Sequence, residues 1–361
     1  MDRDDRFQLE AYRAYTRKKR LALLAAAAAT VVIALCAAGV GSIHLSLGEI
    51  LGTLFGGGDQ QSRAVLLGIR LPRVASGILV GGILAASGAV MQCVLQNPLA
   101  SASTLGVSQG AAFGAAVGIV ALAGGSVNSA SASSAVTITS PFLVTLCAFI
   151  GGSISTVVVI AISCLRRDIG PAGLVLAGVA LSSLFSGGST LLQYFADETK
   201  IGAIVFWTFG SLSGTTWREI AILLGVFLAS MLFFLANRWN YNALESGSDT
   251  AASLGVATRR VMLSSMLVCS LATAVAVSFV GIISFVGLIA PHIMRRFVGG
   301  DHRYLIPSSA VLGGLLLILA DTFARTVVSP VVLPIGAITS FLGAPMFLIL
   351  LFQGGRSHGT R

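Results

Sequence analysis

Long apolar runs recur along the whole chain and limit what it can fold into. Most of these runs are close to the ~20 residues that a helix needs to cross the ~30 Å hydrocarbon core of a bilayer. Charged or turn-forming residues separate them. The sequence therefore predicts an all-α, polytopic membrane protein with about ten transmembrane helices. The predicted spans are 21–41, 71–92, 98–124, 142–165, 171–195, 217–237, 258–283, 284–298, 304–325 and 336–353.

Composition supports this class. Only 10% of the residues are charged, against roughly 25% in a soluble domain. The 42 glycines allow transmembrane helices to pack closely. One pair of spans rests on a single apolar run, residues 258–298, which glycines such as Gly281 divide. The serine-rich segment 126–140 is predicted to be a loop.

The distribution of basic residues predicts the orientation. With the N-terminus in the cytoplasm, 17 of the 23 Lys and Arg residues fall in cytoplasmic loops and tails, as the positive-inside rule requires. Both termini are thus predicted to be cytoplasmic. The expected organisation is a basic N-terminal tail over 1–20, a transmembrane domain over 21–353 and a C-terminal tail over 354–361. The long basic segment before the first run favours an uncleaved span over a signal peptide.

Several function classes are excluded by missing motifs. The net charge of +9 is dispersed instead of forming the dense patch expected of a nucleic-acid-binding protein. Lys18, Lys19 and Lys200 are the lysines of the chain and none follows a glycine, so there is no phosphate-binding Walker loop. The five cysteines lie in apolar runs without metal-ligand spacing. We expect no catalytic residues, no metal site and no cofactor in this chain.

Carboxylates in the middle of the predicted spans are scarce, which bears on how a membrane carrier of this kind would be energised. Asp321 and Arg325 are four residues apart near the outer end of span 304–325, which predicts an intrahelical pair or side chains that reach the interface. An ion-gradient-driven carrier would need more acidic residues inside the membrane. That class is therefore the weaker alternative, as is a membrane scaffold or receptor that transports nothing. Energy is expected to come from another subunit.

The segment 238–257 is the longest predicted cytoplasmic stretch between two spans. Its small and polar residues are compatible with two short helices separated by a turn at Gly247, or with a plain solvated connector. Because it alone among these loops has room for structure, it is the predicted docking segment for a cytoplasmic partner.

A series of short motifs follows in order from about residue 42 to 353. They are RLPR (70–73), GAVMQ (88–92), NPLA (97–100), LGVSQGA (105–111), LAGVALSSL (176–184), SLGV (253–256), FVGLIAPHIMR (285–295), DHR (301–303) and LPIGAITSFLGAPMF (333–347). Together they resemble the FecCD-type permeases, the membrane subunits of ABC importers for ferric siderophores, haem and cobalamin. The order and spacing of nine motifs make this resemblance specific.

The resemblance implies a ten-helix permease in the bacterial cytoplasmic membrane. It would pair with a second permease subunit, either an identical copy or a paralogue, around a central path. Cytoplasmic ATP-binding subunits would hold ATP and Mg²⁺, and an extracytoplasmic binding protein would deliver the substrate. The permease itself would not be an enzyme. The resemblance leaves ferric siderophore, haem and cobalamin open as substrates, and ferric siderophore is favoured by its frequency in the family.

Site residues follow from the same resemblance. Arg70, Arg73 and Arg325 match positions that receive glutamates of the binding protein, and a planar guanidinium suits a carboxylate. The alternative for these arginines is interfacial snorkelling. Asn97 and Leu99 match positions at the cytoplasmic gate, where Pro98 is expected to end a helix.

The coupling positions lie in the predicted docking segment. Gly247, Ala251, Leu254 and Gly255 match the family's coupling helices, and Asp249 supplies the acidic side chain there. The chain departs from the family pattern at Ser248, where glutamate is frequent, which puts an ATPase contact at that position in question. A bulky charged residue in place of Ala251 is expected to abolish transport.

Overall fold

The structure is a computed structural model that describes residues 3–40, 46–54, 56–57, 59–122, 125–126, 137–138, 141–166, 169–328 and 331–355. Over these residues the chain forms fifteen α-helices and one antiparallel pair of two-residue strands, Gly125–Ser126 and Thr137–Ile138. The helices are α1 Arg3–Gly39, α2 Leu47–Leu54, α3 Gln60–Val65, α4 Leu71–Val94, α5 Val107–Val120, α6 Pro141–Leu165, α7 Pro171–Phe195, α8 Glu198–Thr208, α9 Trp217–Ala236, α10 Arg238–Glu245, α11 Ser248–Ser253, α12 Thr258–Val280, α13 Val286–Val298, α14 His302–Thr326 and α15 Ile335–Gly355.

These helices confirm the predicted all-α, polytopic class. Each of the ten predicted spans overlaps one helix. Within the described residues, seven helical segments are long and apolar enough to cross a membrane by themselves. Helices α5 and α13 have only 14 and 13 residues, which corresponds to about 20 Å. Most of segment 126–140 and residues 356–361 of the predicted C-terminal tail lie outside the described residues.

Backbone geometry explains why α5 and α13 are short. After α4 ends, Gln96 adopts φ 45° and Gly106 adopts φ 88°, with a 3₁₀ turn at Ser103–Leu105 between them. The predicted span 98–124 therefore becomes helical only at Val107. Between α12 and α13, Gly281 has φ 76°, and a Cβ there would lie 2.3 Å from the carbonyl oxygen of Trp207.

Helix α4 is the centre of the molecule. In its most apolar stretch 89% of the residues are buried, whereas only 17% are buried in the corresponding stretches of α1 and α7. Helices α4 and α14 run antiparallel, because Arg73 near the start of α4 contacts Asp321 near the end of α14. They approach closely at Gly81 and Gly313, and α4 approaches α13 at Gly88.

Substitution of Gly88 by alanine is expected to destabilise the protein. The new Cβ would lie 1.7 Å from the carbonyl oxygen of Gly287, so the helices α4 and α13 must separate. Overpacking of this kind costs about 1–3 kcal/mol. Gly225→Ala is the matched control, because nothing lies within 4 Å of that Cβ and alanine favours helix. Equal unfolding midpoints for the two variants in a denaturant titration would contradict this packing.

Candidate functional site

Two groups of predicted site residues lie at opposite ends of α4. The three predicted docking arginines are at its start and at the end of α14. The predicted gate and coupling residues lie beyond its other end. Helix α4 has 24 residues, so about 35 Å separate the two groups. This distance matches the thickness of a bilayer core.

At the first end, one buried carboxylate joins two of the arginines. The Arg73 side chain donates hydrogen bonds to Asp321 from Nε at 2.9 Å and from Nη2 at 2.8 Å. Arg325 lies one helical turn from Asp321 and forms an ion pair with it, with 3.1 Å between Nε and Oδ2. Asp321 is 2% exposed. The predicted Asp321–Arg325 pair is therefore confirmed, and its extension to Arg73 was not predicted.

The other contacts of this cluster go to the end of α1. Arg70 Nη1 donates to the carbonyl oxygens of Ala38 and Gly39 at 2.8 and 2.9 Å. Arg325 donates to the carbonyl oxygens of Ala37 and Val40, both at 3.2 Å. The last carbonyls of a helix have no partner within it and carry negative partial charge, so guanidinium groups stabilise this end.

The structure thus brings Arg70, Arg73 and Arg325 together, with Asp321 among them. All three arginines have partners within the chain, and Arg70 and Arg73 are buried. Arg73 also lines an open cavity of about 380 Å³ between the start of α4 and the loop before α9.

At the other end, the predicted gate residues form a tight turn. Leu99 donates its backbone N–H to the side-chain oxygen of Asn97 at 2.9 Å, and Ala100 donates to the Asn97 carbonyl at 3.0 Å. Pro98 lies between them and cannot continue a helix. Leu99 is 43% exposed. The turn therefore presents an apolar side chain outward while its backbone bonds are satisfied locally.

The predicted coupling segment forms two short helices, α10 and α11, and the predicted turn lies between them. Gly247 has φ 105° and Gly255 has φ 84°, conformations that favour glycine. Asp249 is exposed in the first turn of α11. Leu254 is 70% exposed, whereas Ala251 is fully buried. Leu254 and Asp249 are thus available for a partner, and Ala251 packs against the core of its own chain.

Hydrogen bonds connect α10 to α12, to α14 and to the residue before α14. The Tyr241 hydroxyl is 2.9 Å from the Ser265 hydroxyl of α12. Asn242 donates to Asp301 at 3.1 Å and accepts the backbone N–H of His302 at 2.8 Å. Burial alone would raise the pKa of Asp301, but hydrogen bonds from Arg303 and Asn242 outweigh it and lower this pKa to about 2. Asp301 therefore keeps its charge at neutral pH.

The turn at 96–100, which we call the gate turn after its predicted role, and the predicted coupling segment border one cavity of about 450 Å³. Its lining includes Asn97 and Pro98 from the turn and Gly247 from the coupling segment. Gln96 of the turn donates to the carbonyl of Leu244 in α10 at 3.2 Å. This hydrogen bond joins the turn to α10 across the edge of the cavity.

Comparison with known proteins identifies this architecture. The profile of the FecCD transport family matches residues 28–353. A Methanocaldococcus jannaschii protein named as an ABC transporter permease is 48% identical over 345 residues, covering 95% of this chain and 97% of its own. The iron(3+)-hydroxamate import system permease protein FhuB of Bacillus subtilis is 38% identical, covering 80% of this chain and 71% of its own. Further relatives at 34% and 39% identity are named as a hemin permease of Yersinia pestis and a cobalamin permease of Halobacterium salinarum.

A solved structure shows the same fold. It is an inward-facing ABC transporter assigned to the metal-chelate type, with a TM-score of 0.79 and 29% identity, covering 92% of this chain and 98% of its own. The family profile spans nearly the whole membrane domain, and the relatives are matched over most of their length. The chain is therefore a multi-pass membrane permease subunit of the ABC importer type and belongs to the FecCD transport family.

Proposed function

We propose that the chain carries a ferric siderophore across the cytoplasmic membrane, with ATP hydrolysed by separate subunits. FhuB is named for iron hydroxamate import, and the structural neighbour is assigned to the metal-chelate type. Haem and cobalamin are the alternatives, because relatives of similar identity are named for them. Family membership, combined with the cavity shared by gate turn and coupling segment, carries the proposal.

The charges within the membrane favour an external source of energy. In the seven candidate spans, the carboxylates are Glu219 in the first turn of α9 and Asp321 near the end of α14. The Asp321 carboxylate already forms ion pairs with Arg73 and Arg325. A carrier driven by protons or sodium would need a carboxylate that changes partners near the middle of the membrane. These spans offer none.

Three kinds of protein partner are part of the proposal. ATP-binding subunits, holding ATP and Mg²⁺, would dock on the exposed face of α11 at Asp249 and Leu254. A binding protein would place carboxylates against the arginine cluster at the opposite end, where charge steers association. A second permease subunit, identical or paralogous, would complete the central path.

Uptake by whole cells tests the substrate. Cells with and without the gene, each with its neighbouring subunits, are given ferric siderophore carrying radioactive iron, labelled haem and labelled cobalamin in separate assays. The proposal predicts gene-dependent accumulation of the ferric siderophore alone. Gene-dependent accumulation of haem or cobalamin, with no effect on siderophore iron, would contradict it.

A further inference from the structure

Three potential metal ligands meet beside the cavity that borders the gate turn. They are Cys93 in the last turn of α4, Glu245 at the end of α10 and His302 at the start of α14, and one ligand atom of each lies within 4.8 Å of the others. The sequence predicts no metal site, because these residues show no metal-binding spacing. Only the fold brings the three elements together.

His302 has a buried ring nitrogen that is positioned to serve as a metal ligand. Its side chain is 0% exposed, and Nε2 has no hydrogen-bond partner among the described residues. Its other ring nitrogen lies 3.1 Å from the Asn242 side-chain oxygen. Such a contact holds the ring in one orientation, as outer partners of metal-binding histidines do. A buried nitrogen without a partner is costly, and a cation would supply the missing partner.

The other two ligands are placed to complete the group. The Cys93 thiol donates to the carbonyl oxygen of Tyr241 at 3.3 Å, which keeps Sγ at the interface between α4 and α10. The Glu245 side chain is exposed to the cavity and packs against the loop before α14, because a Cβ at Gly300 would lie 3.3 Å from its Oε1. Both Cys93 and Glu245 line the cavity of about 450 Å³, which leaves room for water as a fourth ligand.

We propose that Cys93 Sγ, His302 Nε2 and Glu245 bind a Zn²⁺ ion. Zinc bonds of ~2.3 Å to sulfur and ~2.0–2.2 Å to nitrogen and oxygen place tetrahedral ligands about 3.5 Å apart. The three side chains need to close by about 1 Å. On binding, the Cys93 S–H bond breaks, its proton passes to water in the cavity, and the thiolate bonds the metal.

The chemistry of the set favours zinc over other cations. Thiolate and imidazole together select zinc over magnesium, calcium and manganese, which prefer oxygen ligands. The negative charges of thiolate and carboxylate offset the two positive charges of the ion, so the occupied site is neutral. Arg295 on the cavity wall therefore does not repel it. Among the described residues, this group is therefore a site for one zinc ion.

Zinc at this position would bridge the predicted coupling segment and two helices that pack beside it. The site joins α10 of the coupling segment to α4 and α14, and its cavity borders the gate turn. A bound ion would hold these three elements together and slow transport. This effect on transport rests on the proposed function, whereas binding of the ion does not.

Zinc binding by the purified full-length protein tests the site. Cys36, Cys147 and Cys164 are the more accessible thiols, so they are first replaced by serine, and the protein is stripped of metal with a chelator. Zinc affinity is then measured by competition with a fluorescent chelator. Replacement of zinc by Co²⁺ is followed by the absorption band of a cobalt–thiolate bond.

We expect one ion per chain and a cobalt–thiolate band. Cys93→Ser should abolish the band, and Cys93→Ser and His302→Gln should each weaken zinc binding at least about tenfold. Cys269→Ser is the matched control, because Cys269 is buried but outside the group. Glu245→Gln alters an exposed residue and should weaken binding without affecting folding. Unchanged affinity in all three ligand variants, or no zinc binding by the parent protein, would overturn the proposal.

The effect on transport is measured separately. Zinc added to vesicles that contain the complete importer should slow uptake, and Cys93→Ser should relieve this inhibition. Zinc binding without any change in uptake would overturn the effect on transport and leave the site. Absence of uptake in zinc-free vesicles would instead count against the proposed function.

Discussion

Replacement of Asp321 by asparagine should lower the free energy of unfolding by about 3–5 kcal/mol, the usual cost of breaking a buried ion pair from one side. The carboxylate receives two hydrogen bonds from Arg73 and an ion pair from Arg325. Asparagine keeps the shape but removes the charge, which leaves Arg73 buried without an anion. A denaturant titration of the purified protein, followed by circular dichroism, measures the change.

A double-mutant cycle measures the interaction energy between Arg73 and Asp321, separate from the other contacts of each residue. Arg73→Gln combined with Asp321→Asn replaces both charges by amides that can bond each other. The double variant should therefore lose less stability than the sum of the single variants. Strict additivity, or a loss below about 1 kcal/mol for Asp321→Asn, would show that the cluster does not hold α4 and α14 together.

Replacement of Leu254 by arginine should abolish ATP-driven transport while the permease itself stays folded. Leu254 is 70% exposed at the end of α11, so its substitution removes no contact within the core. In the proposed complex this side chain is buried against an ATP-binding subunit. Loss of such an anchor costs about 2 kcal/mol or more, which corresponds to roughly 30-fold weaker binding. Co-purification of the ATPase and uptake in vesicles are the two measurements.

Leu254→Met is the matched control, because it keeps an apolar side chain of similar volume. It should retain both ATPase co-purification and uptake in vesicles. Ala251→Arg, which the sequence suggested as the decoupling variant, does not discriminate as well. Ala251 is fully buried, so a charged side chain there would first disturb α11. Normal transport by Leu254→Arg would remove this residue from the docking surface.

Much of the fold was predictable because the apolar runs are long and their ends are marked. The ten predicted spans each overlap a helix, and the turn at Gly247 separates two short helices as predicted. Two other helices begin at capping residues that are visible in the sequence. Ser46 and Glu49 form a reciprocal capping pair at the start of α2, and Asp197 caps α8 by accepting the Lys200 N–H.

Contacts between distant parts of the chain could not be predicted from the sequence. Asp321 was predicted to pair with Arg325, one turn away on the same helix, but its bonds to Arg73 join residues 248 positions apart. The group of Cys93, Glu245 and His302 likewise depends on three separate elements. Periodicity and spacing report on single helices, whereas such contacts depend on how the helices pack.

ATP-dependent uptake in a reconstituted system tests the central claim most directly. The permease, its ATP-binding subunits and its binding protein are placed in vesicles and supplied with ferric siderophore that carries radioactive iron. We predict uptake that requires ATP hydrolysis, stops when the Walker lysine of the ATPase is replaced, and continues when ionophores remove proton and sodium gradients. Uptake that proceeds without ATP and follows an imposed ion gradient would contradict the account.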